Sequence, residues 1–366
     1  MHPVKDWKSY AGSLSVLMSA LALATPAFAQ VVADFSKPGA VIVWPKFETG
    51  SVNVFPGTAG QFNAARTLIE LGNMGDSNVT VHMEWVCPGA NVGEIPSVCA
   101  ATDFEVPVSR NGKVTFNPSG IVNPMPSDYN ESIGGETNLI PVPPAPCPRG
   151  YLIGWVISGS DANLGQNVLV GDAVLRDVGT DLQSYKAITI QAVGSASPDS
   201  LVFDGQWGNY AQLPDAVVGD VSFDSNINPP FHNEALIFLT LDVKTNGTMT
   251  DPTIVPLDFY NYNEQVFSID SGYQFTCWGQ VELSKGLDGF LTTEGMGTYG
   301  GSARHDKGLV YAGPAFDGAN HGKSRTLLGL IQTTEGSGPG PWAMMTSYTT
   351  SFVTIPGSFT STTFHP

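Results

Sequence analysis

Apolar and polar residues alternate with a period of two along most of the chain. No twelve-residue stretch after the first thirty residues has the periodicity of a helix. The segment 79–86 alternates as a half-buried strand does, and 67–71 precedes it across a Gly- and Asn-rich turn, so we expect a hairpin. Further strands are predicted at 41–44, 104–108, 113–116, 151–157, 168–175, 185–193, 236–243, 253–260, 265–269, 273–278, 309–311, 327–333 and 342–352.

Turn residues separate these segments about every eight to twelve positions, a spacing typical of β-sandwiches. The sequence therefore predicts an all-β protein, and 366 residues are enough for two immunoglobulin-like β-sandwich units. We expect the first unit at 30–193, a linker rich in Ser, Asp, Gly, Asn and Pro at 194–230, and the second unit at 231–366.

Two pairs of segments look alike and suggest a diverged internal duplication. In one pair, 68–73 leads through a turn towards Cys87, and 256–261 leads through a turn towards Cys277. In the other, an Asp-, Asn- and Gly-containing turn precedes an apolar strand, at 161–175 and again at 317–331.

The first 29 residues have the order of a secretory signal peptide. Lys5 and Lys8 form a basic start, 14–24 is apolar, and 27–29 is an Ala-Phe-Ala cleavage site. The apolar run is too short to span a bilayer, and no later stretch is long and apolar enough. We therefore expect cleavage after Ala29, no transmembrane segment, and a protein of the periplasm, cell surface or extracellular space.

Export would place the four cysteines in an oxidising compartment, where three disulfide pairings are possible. Cys87 and Cys99 flank a short loop with Pro and Gly, which suits a local bridge. Cys147 and Cys277 would then pair over a long range. No C-x-x-C or Cys/His cluster is present, so structural zinc is not expected.

Charge and composition exclude several classes of protein. The chain has 16 Lys+Arg against 33 Asp+Glu, a net charge of −17 that would repel a nucleic-acid backbone. Hydrophobic residues make up 42% of the chain, which argues against intrinsic disorder. The 41 Gly and 27 Pro therefore mark turns between strands.

Motifs for catalysis lack the context that they need. Residues 295–300 match G-x-G-x-x-G, but no helix pattern follows, and neither G-x-S-x-G nor H-E-x-x-H occurs. His82 and Glu84 share one face of a predicted strand and could form an acid/base pair, although an ordinary hydrogen-bonded sheet face explains the same pattern. Glu84 beside Trp85 is the most glycosidase-like pairing.

Calcium is the one cofactor for which the sequence offers a candidate. Asp224, Asn226 and Asn228 match the first three ligand positions of an EF-hand loop. Pro229 and Ala235 stand where that loop requires Gly and Glu, which excludes an EF-hand. A looser oxygen cage is one interpretation, and an Asx-rich turn without an ion is the other.

Two aromatic residues, Trp207 and Tyr210, lie close together in a turn-like segment and could stack on a sugar ring. The alternative, which we favour, is that they and the cluster at 259–262 fill the seam between the two units.

Several short stretches together resemble a group of uncharacterised exported β proteins of Gram-negative bacteria. The resemblance is carried by 67–71 with Asn73, by 79–83, by 146–148 with 151–155, by 263–268 and by Cys277. It spans most of the chain after the signal, and it implies export and β architecture with no activity attached.

These patterns favour a non-enzymatic exported protein that acts by structure or by binding. The alternatives are a polysaccharide-acting hydrolase and a carbohydrate-binding module. Expected partners are surface glycans or further copies of the chain.

Overall fold

The computed structural model describes residues 30–53, 63–88, 98–120, 139–159, 166–176, 182–222, 231–249, 251–261, 266–283, 307–337 and 344–366. The regular structure of these residues is entirely β-strand, which confirms the all-β prediction. Contacts group the chain from Val31 to Pro366 as one compact unit, within which two β-sandwiches are distinguished below. The signal-peptide prediction for 1–29 lies outside the described residues.

Nine strands build the first sandwich, in two sheets. In chain order they are β1 (Val41–Glu48), β4 (Thr67–Asn73), β5 (Val79–Cys87), β6 (Val98–Val108), β7 (Lys113–Phe116), β8 (Arg149–Gly159), β9 (Leu169–Arg176), β10 (Leu182–Lys186) and β11 (Ile188–Ile190). The sheet orders are β11-β1-β8-β5-β6 and β10-β9-β4-β7, and a separate hairpin pairs β2 (Ser51–Asn53) with β3 (Asn63–Ala65). Inward rings fill the space between the sheets: the ring of Trp85 lies 6.1 Å from that of Phe116 in the opposite sheet and 5.0 Å from that of Phe47 in its own sheet.

Nine further strands build the second sandwich. They are β14 (Val217–Ser222), β15 (Phe231–Leu239), β17 (Thr253–Asn261), β18 (Val266–Phe275), β19 (Trp278–Glu282), β20 (Lys307–Ala312), β22 (Leu328–Ser337), β23 (Met344–Ser351) and β24 (Val353–Thr354). The sheet orders are β18-β17-β20-β14-β24 and β19-β15-β22-β23, and the short β21 (Phe316–Asp317) pairs with β17. Phe238 is central to this core, with its ring 5.5 Å from Phe352 and 6.4 Å from Phe275.

The two sandwiches have the same strand order. When the nine strands of each are numbered in chain order, both sandwiches read 9-1-6-3-4 in the five-stranded sheet and 8-7-2-5 in the four-stranded sheet. Each position in one sandwich therefore has a counterpart in the other, which permits a face-by-face comparison.

The stretch 194–230, expected as a linker, contains three strands: β12 (Leu201–Phe203), β13 (Leu213–Pro214) and β14. The chain's C-terminal residues return to this stretch, because β25 (Phe359–Thr360) pairs with β13 and β26 (Thr362–Phe364) pairs with β12. In addition, β16 (Asn246–Met249) extends the first sandwich by pairing with β6. The two sandwiches are thus tied together by shared strand pairs.

The hairpin expected from 67–71 and 79–86 does not form. β4 pairs with β7 and β9, whereas β5 pairs with β6 and β8 in the other sheet. Asn73 shapes the crossing between the sheets, since its amide donates to the Ser77 carbonyl at 2.7 Å and its Oδ1 accepts from Gly75 N at 2.8 Å. A period of two marks a half-buried strand but does not say which strand lies beside it.

Both disulfides form, but not in the expected local pairing. Cys87 bonds to Cys147, and Cys99 bonds to Cys277. Cys87 lies opposite Ala100 in the β5–β6 register, so Cys99, one residue further along, points to the other face of the sheet. A bridge between Cys87 and Cys99 would require the two sulfurs to meet through the sheet.

Candidate functional site

The outer side of the second sandwich's five-stranded sheet exposes apolar and aromatic residues. Alternation along β17 buries Leu257 and Phe259 in the core and turns Asp258 and Tyr260 outwards. The same alternation on three other strands of this sheet exposes 51% of Val266, 45% of Leu309 and 62% of Val353. Four strands of the sheet therefore contribute large apolar groups to one surface.

Strand register aligns these outward residues in two neighbouring rows. In one row, Tyr260 lies between Val266 and Leu309. In the next row, Tyr311 lies opposite Asp258 and Val218, and Val218 lies opposite Val353. We call this surface the open face and define it as Val218, Asp220, Asp258, Tyr260, Val266, Ser268, Leu309, Tyr311 and Val353.

The charged groups on the open face are both acidic, Asp220 and Asp258. The Ser268 hydroxyl donates to Asp258 Oδ1 at 2.5 Å. Partial burial, and then the carboxylates of Asp215 and Asp258, raise the pKa of Tyr311. The face therefore combines apolar side chains, two phenols and carboxylates, and none of its nine residues is basic.

The corresponding face of the first sandwich is covered. There, Trp155 lies between His82 and Val41 in the same kind of row, but Trp155 is 3% exposed and Val41 is fully buried. The Phe364 ring of β26 lies 6.1 Å from Trp155, and residues of the stretch 201–213 belong to the same buried cluster. The outer side of the five-stranded sheet is thus covered by other parts of the chain in the first sandwich. In the second sandwich, the described residues leave this side exposed.

Trp207 and Tyr210, predicted together as ligand-binding residues, have opposite environments. Trp207 is 82% exposed, whereas Tyr210 is buried with its ring 5.5 Å from Phe203 and its hydroxyl donating to the Ser197 carbonyl at 3.3 Å. Tyr210 therefore packs within the layer that covers the first sandwich, and the exposed Trp207 does not fill a seam between the two units. Of the second aromatic cluster, Phe259 lies in the core of the second sandwich and Tyr260 on the open face.

A tight turn presents the Trp207 indole to solvent. Asp204 accepts a hydrogen bond from Gln206 N through Oδ1 and another from Asn209 Nδ2 through Oδ2, both at 2.9 Å. The indole also lies against Gly194, where an added Cβ would come within 2.6 Å of the ring. We call residues 204–209 the Trp207 turn, in which an exposed aromatic ring is flanked by amide and carboxylate groups.

The candidate acid/base pair lies under the covering layer of the first sandwich. His82 Nε2 is 3.6 Å from Glu84 Oε1, and the Glu84 side chain is only 4% exposed. Neither Glu84 Oε2 nor Trp155 Nε1 has a hydrogen-bond partner among the described residues. Burial and, secondly, the nearby Glu84 carboxylate raise the pKa of Tyr151 well above its ordinary value. The geometry provides a buried carboxylate with little room for a polymeric substrate.

The predicted calcium ligands Asp224, Asn226 and Asn228 lie outside the described residues, as does the glycine motif at 295–300. Within the described ranges, no three His, Cys, Asp or Glu side chains come together as a metal-binding group. No helix in these ranges has the length and apolar character needed to cross a membrane.

Comparison with known protein families, with curated proteins and with solved structures finds no match for this chain. Any functional argument therefore depends on the chain's own geometry. Sequence reasoning missed the open face as a unit, although the outward positions of β17 and β20 are readable from alternation. The sequence did not show that β20, which is distant in the chain, lies beside β17 and brings Leu309 next to Tyr260.

Proposed function

We propose that this is an exported, non-enzymatic protein of the cell surface or periplasm that acts by structure or by binding. Export is supported by the signal-like pattern of residues 1–29 and by two disulfides, which persist in oxidising compartments. A structural role is supported by the way in which Cys99–Cys277 and the shared strand pairs hold the two sandwiches together.

The observation that carries the binding role is the Trp207 turn. An aromatic ring that is 82% exposed, on a turn held by its own hydrogen bonds, contributes little to the stability of the fold and can bury its exposed area against a ligand. Asp204, Gln206 and Asn209 add hydrogen-bonding groups beside it. Surface glycans, whose rings stack on indoles and whose hydroxyls bond to amides and carboxylates, fit this chemistry.

The test is a glycan array probed with the full exported chain and with a Trp207→Ala variant. Binding that is lost in Trp207→Ala and retained in Met74→Ala supports the proposal, because Met74 is also an exposed apolar residue, at 61%. Binding that is equal in both variants would remove Trp207 from the site.

The alternative function, a polysaccharide-acting hydrolase, is tested through the buried carboxylate of Glu84. Hydrolase substrates should show no turnover with the full chain. Turnover that disappears in Glu84→Gln while the melting temperature stays unchanged would replace the binding proposal with a catalytic one.

We also propose that the two sandwiches are diverged copies of one immunoglobulin-like unit. Their identical strand order supports duplication, and in both units the second strand pairs with the fifth and the third with the sixth, as B–E and C–F do in immunoglobulin domains. The first, fourth and seventh strands depart from that pattern, because they lie beside the sixth, third and second strands and not beside the second, fifth and sixth. An experimental structure in which the nine strands fail to superpose pairwise would refute the duplication.

A further inference from the structure

We propose that the open face is where two copies of this chain meet, in a weak symmetric dimer. The inference goes beyond the glycan-binding role and does not depend on Trp207. It starts from the comparison of the two sandwiches, which share a strand order but differ in whether the outer side of the five-stranded sheet is covered.

The segments that cover the first sandwich are held in place by strand pairs and backbone hydrogen bonds of their own. Leu201 and Phe203 of β12 pair with β26, and Leu213 of β13 pairs with Thr360. The N-terminal residues join the same layer, since Val31 N donates to the Gly205 carbonyl at 3.1 Å.

The apolar residues on the open face are contiguous, which favours another protein surface as the binding partner. Val266, Tyr260 and Leu309 form one cross-strand row, and Val218 and Val353 continue the next. Two sheets that face each other pack about 10 Å apart with interleaved side chains, as within a β-sandwich. A second copy provides the same rows, and a two-fold axis brings each row onto its own equivalent.

The area of the face matches a weak dimer. Five strands spaced by about 4.8 Å and strands about six residues long give roughly 500 Å² per copy. Two copies would bury about 1,000 Å², the lower limit for a specific interface, so we expect a dissociation constant in the micromolar range.

The negative charges on the open face repel those of a second copy, so the affinity of the dimer should depend on salt. Asp220 and Asp258 are both acidic, none of the nine residues is basic, and the chain as a whole carries −17. Salt screens this repulsion and leaves the apolar contact intact, so the dimer should tighten as sodium chloride is raised. A complex held by opposite charges would weaken instead.

The experiment is sedimentation velocity on the full exported chain at low and high salt, up to about 0.5 mM, well above micromolar constants. Leu309→Asp, on the central strand β20, and Val266→Asp, on the edge strand β18, should each abolish the dimer. Met74→Asp, at an exposed apolar position of the first sandwich, should leave it intact. Asp258→Asn should strengthen it at least several-fold at low salt, because it removes one repelling charge per copy.

A wild-type chain that stays monomeric at both salt concentrations overturns the inference, as does a dimer that persists in both aspartate variants. Should Leu309→Asp fail to fold, Val266→Asp and Asp258→Asn still decide the question in opposite directions. Glycan binding through Trp207 should be unchanged in the monomeric variants, so failure of either proposal is visible separately.

Discussion

The ammonium group of Lys46 on β1 donates a hydrogen bond to Gln332 Oε1 on β22 at 2.5 Å, and so joins the two sandwiches through a buried polar contact. Lys46 is only 2% exposed, and its Nζ also lies 3.0 Å from Glu48 Oε1. Gln332 in turn donates to Gln183 Oε1 at 3.0 Å. This chain of polar contacts fixes how β1, β10 and β22 approach one another.

Replacing Lys46 with Met should destabilise the protein by about 2–3 kcal/mol, because Gln332 Oε1 loses its donor and Glu48 loses a buried partner. Glu48 keeps its ion pairs with Arg66 and Arg149, so the loss of stability is smaller than for a buried carboxylate without any partner. Urea unfolding measures the change. The matched control is Lys113→Met at the exposed pair with Glu70, which should cost less than about 1 kcal/mol. Equal effects of the two variants would contradict the buried junction.

Acidification should remove the contribution of Glu48. Burial alone would raise the pKa of this carboxyl, but Lys46, Arg149 and Arg66 outweigh burial and hold the pKa below its ordinary value of 4.5. Because the pKa is lower in the folded than in the unfolded state, ionised Glu48 stabilises the fold above about pH 4.5, and this stabilisation is lost as the pH falls through the lowered value.

Glu48→Gln should therefore be less stable than the wild type at pH 7, and the difference should shrink below about pH 4.5. Urea unfolding at a series of pH values measures it. Glu70→Gln, at the surface pair, should show a small difference throughout. A deficit in Glu48→Gln that stays constant down to pH 3 would mean that the carboxylate charge is not what stabilises the junction.

Strand positions were largely readable from the sequence, but strand neighbours were not. The segment 113–116 was predicted with the bounds of β7, and 79–86 differs from β5 by one residue. The predicted hairpin failed because β4 and β5 face each other across one core, where alternation looks the same as in a paired hairpin. Sequence separation alone likewise favoured a Cys87–Cys99 bridge that the register of β5 and β6 forbids.

The candidate site was partly readable for a similar reason. Composition and turn residues pointed to Trp207 and Tyr210 together, yet exposure depends on what the rest of the chain places over each ring. Tyr210 is buried by Phe203 of β12, a strand inside the stretch expected to be a linker. The open face requires β14, β17, β20 and β24, which are distant in sequence, to be neighbours, and no local pattern encodes that order.

The two disulfides should contribute unequally to stability. Cys99–Cys277 spans 178 residues and Cys87–Cys147 spans 60. On the chain-entropy account, replacing both cysteines of the longer bridge with Ala should cost about 5 kcal/mol, and of the shorter one about 4 kcal/mol. Urea unfolding without reductant measures both, and peptide mapping provides the control. Recovery of a peptide linking Cys87 to Cys99 would contradict the pairing.

Truncating the two aromatic residues of the predicted ligand site should have different effects. Tyr210→Ala should destabilise the protein by about 3–5 kcal/mol, because it empties a buried ring site. Trp207→Ala should change stability by no more than about 0.5 kcal/mol, because the ring is mostly in solvent. Thermal and urea unfolding measure both. A large loss of stability in Trp207→Ala would show that the indole is held in the fold and is not free to bind a ligand.

The position of the Trp207 indole should depend on Gly194. This glycine has φ of +76°, and an added Cβ would meet the ring Cε2 at 2.6 Å, so Gly194→Ala must displace the indole. Gly208→Ala is the matched control, because its φ of +91° imposes the same strain, yet nothing lies within 4 Å of the added Cβ. The fluorescence of Trp207 is the difference between the wild type and Trp207→Phe. Acrylamide quenching of this Trp207 fluorescence should change in Gly194→Ala and stay the same in Gly208→Ala. Equal quenching in the two alanine variants would mean that Gly194 does not support the ring.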